Sequence, residues 1–559
     1  MATPDTIPVA GVMNPNNESF IMTDTLLSST TPLSLKTILS PSSVLNLFLI
    51  WLGYRVLLAL YNISPFHPLY KFPGPKIAAA TFLYEAWYDW ILQGQYTNKI
   101  REMHGRYGPI IRISPHELHI STPSFADEVY PSSSSLRIRD KSQHQLNTGG
   151  AGPVSVTGFS TVSHELHRLK RAPLSKFFSR SQMLSLESEV TDYARRVVDK
   201  LLRIGSVQNV KEAFNCFTAD VIAQYAFGES LGFVDQEGTW EPNFATWTSS
   251  FMRAAYGMRH NALMRRSAAA LPFLASRMNL MGEDVKRVLH VMEVLVPEFI
   301  RKALGSDEAK DDGKGGVFAE LIRGISENGK KKKLTEDEMY WLSGEGFNFL
   351  LAGTETTAAI LTTITFWLLA KPTVYARLMQ DVAPLNPDTI KWTELEQKPY
   401  MWAVVHEALR MMPGVSHRSA RVARTEDLVF RDKSNGSNKE WVIPRGTPVG
   451  MTSMIQHWDE ELFPCPDEFL PERWLLEDGK PDYKLQKNLL SFGKSGHGRA
   501  CIGESLAYCE VYIMAALMAF HVVPRAKLVD TTRANFDYDH DMIVPQTKFG
   551  SISCKIAIQ

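Results

Sequence analysis

Cysteine is scarce in this chain. There are five in 559 residues (Cys216, Cys465, Cys501, Cys509 and Cys554), odd in number and widely spaced. That argues against a disulfide framework and for thiols kept reduced on the cytosolic side. Net charge is also missing: 60 basic residues balance 60 acidic ones, so composition gives no electrostatic case for nucleic acid. No internal repeat is visible, so the chain is not an array of small units. What remains is a globular composition, 44% hydrophobic and 21% charged. The length suits three or four average domains or one large α-rich domain.

One long hydrophobic run stands out. Val44 to Ile63 reads VLNLFLIWLGYRVLLALYNI, close to the roughly 20 apolar residues that cross a bilayer. Arg55 lies just past its middle, where a charge costs about 2.5–3.5 kcal/mol. Snorkelling and the surrounding Leu, Ile, Val and Phe offset that cost. The run starts far from Met1 and no small-residue cleavage site follows it, so it reads as an anchor rather than a removed signal peptide. Lys71 and Lys76 favour a cytosolic C-terminal side, with Lys36 voting the other way. Asn17-Glu18-Ser19 is then a glycosylation acceptor on the luminal side. The expected domains are a flexible luminal segment (1–43), a transmembrane anchor (44–63), a Pro/Gly-rich linker (64–76) and a cytosolic catalytic domain (77–559).

Phe82 to Leu304 reads as mainly helical, with an alternating stretch at Ile110–Ile120 that suits a hairpin. Residues 305–333 read as a charged linker ending in Lys330–Lys333. Thr335-Glu336-Asp337-Glu338 is a capping box opening an apolar helix to about Ala370. A second helix carries Tyr400–Met412, and a third starts just after Cys501 and runs to about Phe520. The expected architecture is mainly α with small β-sheets.

The densest chemical signal is Ser491-Phe492-Gly493-Lys494-Ser495-Gly496-His497-Gly498-Arg499-Ala500-Cys501-Ile502-Gly503. A glycine-rich loop delivers one cysteine to a helix start, where backbone N–H groups and the dipole favour thiolate. Glycines admit a flat ligand, and Arg499 can pair with a carboxylate on it. A phosphate loop does not fit, because Asn488 stands where that motif needs its first glycine. Nor does zinc: His497, Cys501 and Cys509 do not supply about four ligands at tight spacing. A buried structural cysteine remains the plain alternative. Upstream, Leu351-Ala352-Gly353-Thr354-Glu355-Thr356-Thr357 puts a glycine inside a helix at about 1 kcal/mol relative to alanine. A glycine facing a flat cofactor, followed by an acid and a hydroxyl, would serve proton delivery to oxygen; helix packing is the other explanation. Glu407-Ala408-Leu409-Arg410 sets a carboxylate and a guanidinium on one helical face, and Pro471-Glu472-Arg473-Trp474 offers a second arginine.

With these motifs in this order, the chain resembles the cytochrome P-450 monooxygenases of the fungal microsomal kind, from the anchor nearly to the C-terminus. Phe72-Pro73-Gly74-Pro75, the RYGPIIRISPHELHI stretch from Arg106, and Phe159 through Phe178 resemble the same group, including secondary-metabolite enzymes that oxygenate sesquiterpenes. The cysteine loop is two residues longer than the family pattern, and that insertion restores Phe492 as its aromatic residue.

The resemblance implies a haem-thiolate fold behind one N-terminal transmembrane helix. Cys501 would be the axial ligand of haem b (iron protoporphyrin IX). Ala352, Gly353, Glu355 and Thr356 would form the oxygen-activation site, with Thr356 hydrogen-bonding dioxygen. Arg499, His167, Arg171 and Arg421 (or Arg418) would hold the haem propionates, and Glu407, Arg410 and Arg473 would brace the proximal side. It further implies an endoplasmic-reticulum membrane protein that takes NADPH electrons from a separate cytochrome P-450 reductase, uses O2, and acts on a lipophilic small molecule. A haem-thiolate isomerase or dehydratase, and a haem carrier without catalysis, are the alternatives; the Glu355-Thr356 pair counts against both.

Overall fold

A computed structural model describes residues 40–132, 137–149, 152–267, 282–305, 316–325, 334–432, 438–494, 496 and 498–559. Asn17, the 1–39 segment, Lys330–Lys333, Ser495 and His497 lie outside the described residues. By internal contacts the chain divides after Leu58 into a short N-terminal unit and a main unit.

Helix α1 (Pro41–Ile63) is 23 residues long. At about 1.5 Å per residue it reaches ~34 Å, enough for a hydrocarbon core of about 30 Å. None of its most apolar window is buried among the described residues. Two other helices are long and apolar enough to span, Glu336–Ala370 and Glu504–Arg525, but 72% and 83% of their windows are buried. They are core helices, and α1 is the candidate membrane anchor.

The main unit is mostly helical with small sheets. Its helices include α2 (Leu83–Ala86), α3 (His164–Ser175), α4 (Arg180–Ile204), α5 (Val210–Phe227), α6 (Phe244–His260), α7 (Gly316–Ile325), α8 (Glu336–Ala370), α9 (Pro399–Met411) and α10 (Glu504–Leu517). The Thr335 capping box forms as read: its hydroxyl accepts from Glu338 N–H, and the Glu338 carboxylate accepts from Thr335 N–H at 2.8 Å. From there α8 runs through the middle of the core, with α5 along one side. Such close approach needs a residue without a side chain at Gly344, where a Cβ would sit 2.2 Å from the Pro153 carbonyl.

The Ile110–Ile120 hairpin is present: β1 (Ile110–Arg112) and β2 (Leu118–Ile120) pair antiparallel, Ile110 opposite Ile120. It joins β3 (Arg139–Lys141), β4 (Arg421–Ala423) and β5 (Pro448–Gly450) in one sheet of order β1-β2-β5-β4-β3. The β3–β4 register sets Lys141 opposite Arg421, so the two cations share a face of the sheet.

The charged linker over 305–333 is corrected by α7. Val317, Phe318, Leu321 and Ile322 are buried against the main core. Their i, i+1, i+4, i+5 spacing makes one apolar helical stripe, which the charged and glycine-rich flanks hid in a compositional reading. All five cysteines are free, with Cys216, Cys509 and Cys554 buried.

Candidate active site and cofactor cradle

Cys501 sits three residues before α10, and its N–H donates to the Phe492 carbonyl at 2.8 Å, closing the long loop on itself. The Phe492 ring lies 5.1 Å from that of Tyr508 on α10, so Phe492 braces the loop against its own helix. Cys501 is exposed yet enclosed on its other sides, and that burial raises its thiol above the ordinary value, with Glu504 adding to the effect. The Gly503 N–H and Arg171 pull the other way and are outweighed. Desolvation thus works against the thiolate that the N–H groups at the helix start favour.

Around this loop the structure gathers cations. Arg499 donates to the carbonyls of Thr161 (2.8 Å) and Val162 (2.7 Å), and its buried Nε has no partner among the described residues. Arg171, on α3, donates to the Ala500 carbonyl at 2.7 Å. His167, one turn earlier, is pushed down to about 2 by burial and then by Arg499, Lys141 and Arg171, so it is a neutral imidazole. Arg421 is buried beside Tyr130 and bonds Ser419 Oγ at 2.8 Å. Lys141, which sequence reasoning missed, donates to the Phe159 carbonyl at 2.7 Å and is held well below the usual lysine range by burial and by Arg421, Arg499 and Arg171. Arg499 is lowered to about 9, by burial first and Arg421 next.

Among the described residues no carboxylate pairs with Lys141, Arg171 or Arg499. Asp140 and Glu165 offset Arg499 only in part; clustered cations that depress one another are costly, and a flat ligand bearing two carboxylates would relieve them. The donor set therefore fits haem: Cys501 could offer its sulfur to iron, and these cations would suit the acidic edge. Arg418, the alternative to Arg421, is committed elsewhere, to Glu85 and Glu117.

On α8, Thr356 Oγ donates to the Ala352 carbonyl at 2.8 Å, a back-bond that consumes its single proton. Its lone pairs stay available, so toward the pocket it is an acceptor. Glu355 is held by Lys211 Nζ (2.6 Å) and Ser551 Oγ (3.0 Å). Ala352 is exposed. Gly353 aims its missing side chain at Ile222 of α5, 3.1 Å from where a Cβ would be. Helix packing thus accounts for that glycine, in place of the flat-cofactor contact read from the sequence. Thr357 is buried, and its hydroxyl faces Glu510 of α10. Glu510 is fully enclosed, leaves Oε1 unpartnered, and is pushed well above the usual carboxylate range by that burial. Neither Lys211 nor Glu510 carries a sequence signature; only tertiary contact singles them out.

The brace assembles as read. Glu407 accepts from Arg410 (2.8 and 2.9 Å), Arg473 (3.2 Å), the Trp474 indole (2.8 Å) and Leu470 N–H (2.9 Å). Segments distant in sequence also meet: Ser416 N–H donates to the Ile543 carbonyl at 3.0 Å, the Tyr256 hydroxyl is 3.3 Å from Ile543 N, and a Cβ on Gly414 would be 3.5 Å from Thr356. A separate pocket of about 180 Å³ is lined by Gln143, Asn147, Ser155, Ser160, Arg265 and Arg266 among others.

The family model described as Cytochrome P450 matches residues 73–530. The chain is 36% identical over 468 residues to the cytochrome P450 monooxygenase ppzE of Metarhizium majus, covering 81% of this chain and 94% of the relative. It is 32% identical to the cytochrome P450 monooxygenase oblB of Cochliobolus heterostrophus, covering 90% and 94%. It is 34% identical to the tryptophan 6-hydroxylase fscE of Fusarium equiseti, covering 88% and 93%.

Proposed function

Because the chain belongs to the cytochrome P450 family of monooxygenases, we propose that it binds haem b through Cys501 and inserts one oxygen atom from O2 into a C–H or C=C bond of a small lipophilic metabolite. The second oxygen leaves as water, with two electrons from NADPH arriving through a separate cytochrome P-450 reductase. Bound haem supplies the oxygen chemistry, and a thiolate ligand favours O–O cleavage. The chain's residues do the rest. Lys141, Arg171, Arg421 and Arg499 would offset the charge of the propionates, and the neutral His167 would offer one a hydrogen bond. Thr356 accepts a hydrogen bond from the oxygen side of the pocket while anchored to Ala352, and Gly353 lets α8 lie close to α5 at that point. Glu355, held in place by Lys211 and Ser551, would relay protons toward Thr356. The observation that carries this reading is the cluster of cations around the Cys501 loop, where burial and mutual repulsion lower Lys141 and Arg499.

The setting is the endoplasmic-reticulum membrane, with residues 44–63 spanning, 1–43 luminal, 64–76 a linker and 77–559 cytosolic. The substrate class is a terpenoid of fungal secondary metabolism. The arginine-bearing pocket and a relative named a tryptophan 6-hydroxylase favour a second reading, a substrate with an aromatic ring and a polar or acidic end. Substrate difference spectra with both classes separate the two.

The ligand assignment is tested with carbon monoxide. Reduced protein shows the strongly red-shifted Soret band of thiolate-bound haem. Cys501→His abolishes it, whereas Cys509→Ser and Cys216→Ser keep it. A band that survives Cys501→His refutes the proposal.

A further inference from the structure

A second group of ionisable side chains lies where α2, residues 143–147, the end of α6 and residues 417–418 meet. Four carboxylates, Glu85, Asp89, Glu117 and Asp541, are buried there. They face two guanidiniums. Arg418 pairs with Glu85 and, at 3.1 Å, with Glu117; Arg259 pairs with Asp89 at 2.7 Å and lies 3.6 Å from Glu85. Negative charge is in excess, and two of the acids register it. Asp541 is pushed up to about 6 by burial and then by Asp89. Glu117 is raised by burial and by Glu85, against the pull of Arg418.

His260 supplies an independent observation. Its side chain is 3% exposed, and neither ring nitrogen has a hydrogen-bond partner among the described residues. Nε2 lies 4.0 Å from Glu85 Oε1 and 3.9 Å from Asp89 Oδ2. His144 Nε2 is 3.1 Å from both Glu85 oxygens, and the two imidazoles are 5.4 Å apart, edge to face. One donor atom from each of Glu85, His144 and His260 falls within 4.8 Å of the others. Bonds of about 2.0–2.2 Å to a tetrahedral centre set ligand atoms ~3.4 Å apart, so the three need close in by only about an ångström.

We propose that Glu85, His144 and His260 bind a divalent cation of the zinc class, with Asp89 as fourth donor. Two imidazoles and two carboxylates suit zinc, cobalt or nickel, and not magnesium or calcium. The nearby guanidiniums oppose a dication, and Arg259 must loosen its hold on Asp89. Affinity is therefore micromolar rather than the far tighter binding of a dedicated structural site. His144, 21% exposed, is the route in. Residues 143–147 also line the 180 Å³ pocket, so an occupied site would fix one wall of it against α6.

The test uses the full-length, haem-loaded protein and zinc alone, by equilibrium dialysis with metal analysis. His260→Ala removes no hydrogen bond, and its carbon-monoxide spectrum verifies the fold. The wild type binds one zinc beyond what the His144→Ala/His260→Ala double variant binds. Each single variant weakens that site by at least about 10- to 100-fold, and zinc raises Tm in the wild type but not in His260→Ala. A wild type that binds no more zinc than the double variant, or a His260→Ala protein that binds it equally well, overturns the site and leaves an ordered water as the partner of His260.

Discussion

Replacing Thr356 by alanine probes how the pocket handles protons. The hydroxyl donates its one hydrogen to the Ala352 carbonyl at 2.8 Å, so what it can offer the pocket is a single accepted hydrogen bond. General acid–base groups contribute about a hundred- to ten-thousandfold, but an acceptor that passes on no proton falls well short of that. One such bond is worth about 0.5–1.5 kcal/mol net, or roughly 2- to 12-fold in rate. Product per NADPH should fall by that factor in Thr356→Ala, while NADPH oxidation continues and hydrogen peroxide accounts for the difference. Thr357→Ala is the control, turned about 100° around the helix toward Glu510. It should stay coupled and lose stability instead, because a buried carboxyl loses its hydroxyl neighbour at about 1–3 kcal/mol. For a domain of roughly 500 residues that lowers Tm by about 1–3 °C. Product, NADPH and peroxide are measured together in both variants. A hundredfold loss in Thr356→Ala would show that the hydroxyl donates after all. Peroxide leaking from Thr357→Ala alone would show that the wrong threonine was assigned.

Glu510→Gln tests the buried acid. Its folded-state value is raised above the unfolded 4.5, so the fold keeps a proton that the unfolded chain releases, and stability declines as pH climbs from about 4.5 toward the folded value. Glutamine cannot ionise, so its Tm should match the wild type near pH 5 and exceed it at pH 8; an equal Tm at both means the acid is not held neutral. Glu407→Ala strands two buried arginines and should cost about 3–5 kcal/mol, read as a Tm about 3–5 °C lower and poor haem loading; a wild-type Tm refutes the brace. In a eukaryotic membrane preparation the protein should resist carbonate extraction and expose its C-terminus to protease, and deletion of residues 1–64 should weaken membrane association while sparing haem binding. A protected C-terminus would reverse the topology.

The sequence by itself determined the features written in local spacing. The apolar run of α1, the Thr335 capping box, the Ile110–Ile120 hairpin and the Glu407/Arg410/Arg473 brace all depend on period, caps or short motifs, and each is present. The order of motifs ending at Cys501 was enough to indicate the family. Only the tertiary structure decided what depends on burial. It raised the Cys501 thiol despite the adjacent helix start, spent the Thr356 proton on Ala352, and gave Gly353 to helix packing. It also sent Arg418 to Glu85 and Arg421 to the cation cluster, a choice two arginines three residues apart do not reveal. Lys141, Lys211, His260 and Glu510 have no motif, since their properties come from desolvation and from neighbours distant in sequence. A charge's energy depends on what surrounds it in space, and that is set only when the chain has folded.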